Sequence, residues 1–217
     1  MVKDWVLQTI WLKSVDSTQT YIQDALKNKT ITSATMVVSE EQTAGKGSRG
    51  NEWIGLKGNL FFSFCLEKNS LPEDLPLSAT SIYFSFLLKK ILSEFHSSVW
   101  MKWPNDFYLD DKKIGGTITN TSGRWFICGI GLNLIQSPKS FSHLDISIDK
   151  EKLLEQYQKT LKTLPSWKKL LKDFQIEFTK SKKFSTHIAE RKVSLSTAEL
   201  ADDGALIING QRIYSLR

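Results

Sequence analysis

Residues 45–50 read GKGSRG, a glycine pattern with two cations inside it, and the segments on either side limit the folds to which it can belong. A dinucleotide-binding fold needs a strand before such a pattern and a helix that begins at it, so that the helix N-terminus meets a pyrophosphate. The strand-like run 34–38 precedes the glycines, but a second apolar run, 60–66, follows them and no helix begins there. The pattern therefore predicts a basic glycine loop between two strands, able to present N–H groups and cations to an anion.

Two other nucleotide-binding classes are excluded by the residues that follow the loop. A protein kinase would need a valine two residues after the last glycine, where this chain has Glu52. A Walker sequence would need lysine and then serine or threonine directly after that glycine, where the chain has Asn51 and Glu52. For the hexad taken alone, a flexible surface loop without a ligand is the alternative interpretation.

The composition is that of an ordinary globular protein. The chain has 217 residues, of which 41% are hydrophobic and 24% are charged, and this size allows one sizeable core or one core with a small module. Cys65 and Cys128 each lie in an apolar run, so we expect reduced core thiols and neither a disulfide nor a metal framework. With no secretory signal and no membrane-spanning run, we expect a cytoplasmic protein with no membrane partner.

The net charge of +6 comes largely from the lysine-rich segment 150–183. A solvated helix face is the interpretation that this spacing favours, although a basic surface can also attract an acidic protein or a nucleic acid. No helix-turn-helix, zinc-finger or aromatic RNA-binding motif is present, so we expect no specific DNA binding.

Hydrophobic periodicity predicts an α+β fold. Helical spacing covers residues 17–29, 77–95 and 151–178, with Pro165 dividing the last segment into two helices. Strand-like runs cover 5–13, 35–39, 59–66, 99–102, 107–109, 114–121 and 125–134, with residues 110–113 as a hairpin turn. The tail, 184–217, predicts three short strands after a linker at 181–183, and it is too small to be stable unless it docks on the main body.

Four further segments place chemistry at the ends of these elements. Residues 16–19 (DSTQ) are a helix N-cap, and residues 102–106 (KWPND) gather a cation, an amide and a carboxylate at a rigid turn. Residues 112–116 (KKIGG) put a lysine before two glycines, which allow a ligand to approach the backbone. The glycines of residues 129–133 (GIGLN) leave part of a strand without side chains, so that a flat ligand can lie there.

In this order and spacing, the segments resemble the catalytic domain of biotin–protein ligases, the biotin–[acetyl-CoA-carboxylase] ligases. The resemblance is strong over residues 10–135, and its most specific parts are 42–53, 102–106 and 129–133. It implies a class II synthetase-like catalytic domain over residues 1–180, with a mixed β-sheet backed by helices, and a small SH3-like β domain over 184–217. Because the chain begins almost at the catalytic domain, we expect the monofunctional form, without the N-terminal DNA-binding domain of repressor-type members.

The resemblance also implies an activity and its partners. The family uses ATP and Mg²⁺ to activate biotin as biotinyl-5′-AMP, and then transfers biotin to one lysine of a biotin carboxyl carrier domain of acetyl-CoA carboxylase. It implies that Mg²⁺ binds through the ATP phosphates, with Asp106 as the candidate protein ligand. A homodimer formed by pairing of sheet edges is one arrangement that the resemblance allows.

Site residues follow from the matching motifs. The catalytic set is Lys113, Asp106 and Lys46. Lys113 would hold the biotin carboxylate and the α-phosphate, Asp106 would lie near the metal and the acceptor lysine, and Lys46 belongs to the glycine loop. The resemblance assigns biotin binding to Ser17, Thr18, Gln19, Gln42, Lys46, Gly47, Ser48, Lys113, Gly115 and Gly116. It assigns nucleotide binding to Arg49, Trp53, Lys102, Asn105, Asn133 and Arg217.

The glycine loop departs from the family pattern and is less cationic. Lys46 stands where arginine is usual, which removes a bidentate phosphate contact, and Ser48 and Asn51 stand where many bacterial members have arginine. Two alternatives stay open. A lipoate–protein ligase has the same fold and two-step chemistry, and a nonenzymatic partner-binding module could use the same fold, although the presence of both Lys113 and Asp106 argues against it.

Overall fold

A mixed β-sheet with helices on both faces forms the centre of the molecule, in a computed structural model that describes residues 5–188 and 191–214, Arg49 through its backbone. The strands are β1 (Gln8–Leu12), β2 (Thr35–Ser39), β3 (Gln42–Lys46), β4 (Glu52–Gly55), β5 (Leu60–Glu67), β6 (Trp100–Lys102), β7 (Asp106–Leu109), β8 (Lys112–Ser122), β9 (Trp125–Leu132), β10 (Ser185–Ile188), β11 (Arg191–Ser194), β12 (Glu199–Leu200), β13 (Leu206–Ile208) and β14 (Gln211–Ile213). The helices are α1 (Thr18–Lys27), α2 (Thr80–Glu94), α3 (Lys150–Lys162) and α4 (Trp167–Ser181).

The central sheet has seven strands in the order β1-β2-β5-β9-β8-β7-β6. Strand β1 is parallel to β2, and the remaining neighbours are antiparallel. The predicted mixed sheet backed by helices is therefore confirmed. Strand β2 has the bounds that the sequence predicts, and two helices flank Pro165 as predicted.

Side-chain alternation along β5 divides the core between the two faces of the sheet. Phe62 and Phe64 belong to the main cluster, which lies under α2, α3 and α4. Cys65 belongs to a smaller cluster under α1, together with Ile22 of that helix. Because Ser63 points to the same face as Cys65, the polar interruption of this apolar strand lies beside α1.

Among the residues that the structure describes, no helix is both long enough and apolar enough to cross a membrane.

Several predicted bounds were wrong, two because of local hairpin pairing and one because of a tertiary contact. The glycine segment is a hairpin of β3 and β4 rather than a continuous loop between β2 and β5. Lys112 and Lys113 are the first residues of β8, which leaves a tighter turn at Asp110 and Asp111. Ser181 is the last residue of α4 and not part of a linker, because its buried hydroxyl accepts a hydrogen bond from Trp103 N at 3.0 Å.

The tail is rich in strands and docks on the main body, as expected from its size. Strands β10 and β11 pair, and β12, β13 and β14 form a second small sheet, of which the sequence did not predict β10 and β12. Leu195, Leu206 and Ile208 pack in the same hydrophobic cluster as the main sheet. The indoles of Trp103 and Trp167 donate to carbonyls in the turn before β13, at 3.0 and 2.6 Å. The division into domains at 180 and 184 stays a prediction.

Candidate active site

A cleft on the α1 face of the sheet gathers most of the predicted site residues. It encloses about 460 Å³ of empty space, solvent included, between the β3–β4 hairpin, the first turn of α1 and strands β8 and β9. Its lining consists of Ser17, Thr18, Gln19, Gln42, Lys46, Gly47, Ser48, Trp53, Ser63, Asn105, Asp106, Lys113, Gly116, Thr117, Ile118, Gly129, Ile130 and Gly131.

One end of the cleft is uncharged and rich in hydrogen-bonding groups. Ser17 is the N-cap of α1, and its hydroxyl accepts from Thr20 N. The carboxamide oxygen of Gln42 accepts from Thr18 N at 2.8 Å, and the Thr18 and Ser63 hydroxyls lie 2.8 Å apart. This end therefore presents neutral polar groups from a helix N-terminus and two strands.

The glycine hairpin reaches this end because its first strand is tied to the segment that enters α1. The backbone N–H groups of Thr43 and Ala44 donate to the carbonyls of Val15 and Asp16, at 3.0 and 2.9 Å. The Thr43 hydroxyl also donates to the Asp16 carboxylate at 2.9 Å. These contacts place Gln42 beside the first turn of α1.

The other end of the cleft holds an ion pair. Lys113 Nζ lies 2.7 Å from Asp106 Oδ1, with the two side chains 28% and 13% exposed. The pairing of β7 with β8 is irregular, since Tyr108 lies opposite Lys113 while Phe107 lies opposite Gly115. Such a bulge redirects a side chain, and here it brings Lys113 to the cleft face, where Gly116 also lies.

Gly116 and Gly129 allow close approach within the cleft. A Cβ at Gly116 would lie 3.3 Å from Asp106 Oδ1 and 3.4 Å from Lys113 Nζ, so the missing side chain leaves room for the ion pair. A Cβ at Gly129 would lie 2.5 Å from Gln19 Oε1, so a side chain there would displace the Gln19 carboxamide.

Trp53 forms the wall between the cleft and a second compartment. Its ring lies against Gly131, where a Cβ would come within 2.9 Å, and Lys113 Nζ lies 5.7 Å from the ring centroid. The ring also makes an edge contact with Phe141, at 5.9 Å between centroids. Because Trp53 touches both the glycine strand and Lys113, a ligand at the charged end must lie beside it.

The second compartment, of about 290 Å³, lies behind Trp53 and is bordered by Asn133, Pro138 and Phe141. Asn133 is 1% exposed, and its amide nitrogen donates to Ser142 O at 3.1 Å. Asn59, also buried, accepts from the backbone of Leu134 at 3.0 Å. These amides hold the segment after β9 against the sheet.

A basic groove continues from the charged end toward β10 and β11. Its cationic lining includes Lys102, Lys113, Lys183 and Lys192, and Asp106 borders it. Lys102 Nζ lies 3.5 Å from Tyr108 Oη and 5.3 Å from the centre of that ring. Burial, and then the charge of Asp106, raises the pKa of Tyr108 to about 12, so this phenol is neutral at physiological pH.

Not all predicted site residues lie in the cleft. Gly115 is buried against Gly131 O, Lys102 lines the neighbouring basic groove, and Asn133 lies in the compartment behind Trp53. The side chain of Arg49 and the whole of Arg217 lie outside the described residues.

Six lining residues were not assigned as site residues: Ser63, Thr117, Ile118, Gly129, Ile130 and Gly131. Ser63 had a signal, because a serine interrupts an otherwise apolar strand. Gly129, Ile130 and Gly131 belong to the segment 129–133, where the sequence predicts room for a flat ligand, whereas Thr117 and Ile118 reach the cleft through strand register.

The described residues contain no group of three or more histidine, cysteine, aspartate or glutamate side chains able to hold a metal ion. Asp106 supplies one carboxylate at the charged end. Mg²⁺ commonly binds through one or two carboxylates together with phosphate oxygens and water. The cleft therefore fits a metal that arrives with a polyphosphate, and it does not fit a metal caged by protein alone.

The fold and cleft define a class of protein with a neutral polar end and a charged end in one pocket. The sequence profile of the Biotin/lipoate A/B protein ligase family matches residues 11–133. The chain belongs to this family, as the sequence predicts.

Individual relatives agree with this membership. A biotin acetyl coenzyme A carboxylase synthetase from Helicobacter pylori, solved with bound biotinylated ATP, is 38% identical with a TM-score of 0.92, over 97% of this chain and 100% of that one. The bifunctional ligase/repressor BirA of Escherichia coli is 28% identical over 57% of this chain and 39% of its own length. The biotin–[acetyl-CoA-carboxylase] ligase of Paracoccus denitrificans is 30% identical over 47% and 45%. The matches thus span less than half of these two curated relatives.

Proposed function

We propose that this protein joins biotin to ATP, forming biotinyl-5′-AMP and pyrophosphate, and transfers the biotinyl group to a lysine of a biotin carboxyl carrier domain. The observation that carries the proposal is the polarity of the cleft, with neutral hydrogen-bonding groups at one end and the Lys113–Asp106 pair at the other. Biotin has the same polarity, with an uncharged ureido ring and a carboxylate at the end of its chain.

The neutral end favours biotin over lipoate. Thr18, Gln42 and Ser63 form a connected set of hydrogen bonds at the cleft wall. A ureido group offers two N–H donors and a carbonyl acceptor to such a set, whereas a dithiolane ring offers no comparable partner. Covering polar groups with an apolar ring costs about 1–3 kcal/mol for each group that loses its partner.

The charged end suits the first reaction. A carboxylate oxygen of biotin attacks the α-phosphorus of ATP, and the bond from that phosphorus to the pyrophosphate oxygen breaks. Lys113, with three N–H donors, can bind both the carboxylate and the α-phosphate. Lys46 of the glycine hairpin lines the same cleft and would supply a second cation to the developing negative charge.

The family implies Mg²⁺, and Asp106 would hold it together with the ATP phosphates. When bound, the metal neutralises phosphate charge and orients the leaving pyrophosphate. The roles assigned here to Lys46, Asp106 and Lys113 are part of the proposal.

In the second reaction the lysine ε-amine of the carrier attacks the biotinyl carbonyl carbon, and AMP departs as the bond from that carbon to the phosphate oxygen breaks. The amine must lose a proton during this step, and the Asp106 carboxylate at the charged end can accept it. The adjoining basic groove leaves the charged end open toward a protein substrate.

A complete transfer assay tests the function. The chain is incubated with ATP, Mg²⁺, biotin and a purified biotin carboxyl carrier domain, and the carrier is then examined by mass spectrometry. We expect one biotinyl group on the target lysine, and no product when ATP or biotin is omitted. A carrier that stays unmodified under complete conditions, while a characterised biotin ligase modifies it, would contradict the proposal.

A further inference from the structure

Gln19 carries an unused acceptor at the neutral end of the cleft. The side chain is 4% exposed, and its Oε1 has no hydrogen-bond partner among the described residues. Its Nε2 donates to Asn120 Oδ1 at 3.0 Å. A buried carbonyl oxygen without a donor is costly, so this atom marks a place where a ligand N–H would be favoured.

The unused oxygen faces the surface on which a ligand would lie. It sits 2.5 Å from the position of a Cβ at Gly129, and Gly129 lines the cleft. Gln19 follows Ser17 and Thr18 in the first turn of α1, so it belongs to the same neutral end. Because this oxygen occupies the space directly over Gly129, a ring that lies beside Gly129 in the cleft would meet Gln19 Oε1 with its edge.

Asn120 lies on the other side of Gln19. It is exposed on β8 and borders an outer groove that adjoins the cleft and shares Gln19 with it, while Asn120 itself is not part of the cleft lining. Because Asn120 accepts from the Gln19 amide nitrogen, the carbonyl end of the Gln19 amide turns toward the cleft. A donor at position 120 would favour the reverse orientation, with NH₂ toward the ligand.

We propose that Asn120 is a positioning residue that presents Gln19 as a hydrogen-bond acceptor to one ureido N–H, and so contributes to the choice of an N–H-bearing ring. This inference rests on the proposed function, because it takes biotin as the ligand. It predicts that a residue outside the cleft controls affinity through donor and acceptor character rather than through size.

The test measures the dissociation constant for biotin by calorimetry in wild-type protein and four variants. Asn120→Asp keeps an acceptor, so we expect a constant within about twofold of wild type. Asn120→Ala releases Gln19 and should weaken binding about tenfold, as expected for the loss of one hydrogen bond, and Asn120→Lys should weaken it further. Thr121→Asp, on the opposite face of β8, controls for added charge and should leave binding unchanged.

Two mono-N-methyl biotins, each lacking one ureido N–H, separate positioning from general damage. For the analogue that lacks the N–H facing Gln19, wild type and Asn120→Lys should have the same dissociation constant. For the other analogue, the difference in dissociation constant should persist. The inference would be overturned if Asn120→Lys bound biotin within twofold of wild type. It would also be overturned if Asn120→Lys weakened the binding of both analogues by the same factor. If wild-type protein binds no biotin, the proposed function fails instead.

Discussion

At the residue scale, the Lys113–Asp106 pair is the centre of the proposed chemistry. The two groups are 2.7 Å apart and largely shielded from solvent, so their charges interact more strongly than an exposed pair would. A substrate carboxylate has to share the Lys113 ammonium with Asp106, and the three donors of lysine allow this. The same arrangement keeps Asp106 beside the reacting atoms for the second step.

We predict that Lys113→Ala lowers the rate of biotinyl-5′-AMP formation at least about 100-fold, because a fixed donor to the developing charge is lost. The rate is measured as biotin-dependent pyrophosphate release. Lys112→Ala is the matched control, because Lys112 is exposed at the start of the same strand and lies outside the cleft lining. Equal rates in wild type and Lys113→Ala would exclude the assigned role.

The two cysteines give a prediction that does not depend on the function. Burial raises the pKa of Cys65 to about 11 and that of the fully buried Cys128 well above its usual value. Since the thiolate is the reactive form, Cys65 should react with a thiol reagent about 100-fold more slowly than an ordinary cysteine at pH 8, even before access is considered. Reaction of either thiol in native protein at the rate seen in denaturant would contradict the burial.

At the element scale, the glycine hairpin is preorganised at its base and tied across its tip. Gly47 N donates to Asn51 O at 2.7 Å, and the Asn51 side chain donates to Ser48 O at 2.9 Å. The cleft side of the hairpin carries Lys46, Gly47 and Ser48. We expect residues 43–53 to become ordered over a bound adenylate and so to act as a lid on the cleft.

We predict that amide hydrogens of residues 43–53 exchange more slowly when biotin and ATP are present. Ser48→Arg adds a cation that can contact the adenylate phosphate, so it should slow the release of biotinyl-5′-AMP. Ser196→Arg, which adds the same charge at an exposed site outside the cleft, is the control. Identical exchange with and without ligands would refute the lid, and an unchanged release rate in Ser48→Arg would refute the charge argument.

Helix α4 supports the motif that contains Asp106. Strand β6 is an edge of the sheet, and two α4 side chains accept hydrogen bonds from N–H groups of this strand and of the turn that follows it. Glu177 accepts from Met101 N at 2.9 Å, and Ser181 accepts from Trp103 N at 3.0 Å. These bonds anchor the segment that leads to Asp106.

Ser181→Ala should therefore lower the free energy of unfolding by about 1–3 kcal/mol, because it leaves the Trp103 N–H buried without a partner. Chemical denaturation measures this change. Thr179→Ala, at an exposed position of the same helix, should change stability far less. If both variants are equally stable, the hydrogen bond to Trp103 does not hold the motif.

Hydrophobic spacing in the sequence was sufficient to predict the long helices and strands but not the short strands. The helix pair around Pro165 and strand β2 followed from spacing, because their own residues carry the period. Strands β3, β10 and β12 form local hairpins with β4, β11 and β13, and their short, mostly polar sequences carry no clear apolar alternation from which to predict them. In the site, motifs predicted Gln42 and Lys113, and the polar interruption of β5 marked Ser63, whereas strand register alone brings Asn120 beside Gln19.

At the scale of the whole molecule, one core links the tail to the cleft. Leu195, Leu206 and Ile208 of the tail pack in the main cluster. The indole of Trp103, three residues before Asp106, donates to Gly204 O in the tail. The tail therefore supports the turn that carries the charged end of the cleft. The polarity of the cleft follows from this assembly, because α1 provides its neutral end and β7 and β8 provide its charged end.

The most direct test of this account offers equal concentrations of biotin and lipoate to the protein with ATP and Mg²⁺, and identifies the retained adenylate by native mass spectrometry. The polarity of the cleft predicts biotinyl-5′-AMP bound to wild-type protein and almost none bound to Lys113→Ala. Lipoyl-5′-AMP in equal or greater amount, or no adenylate on wild-type protein, would contradict the central claim that this cleft selects and activates biotin.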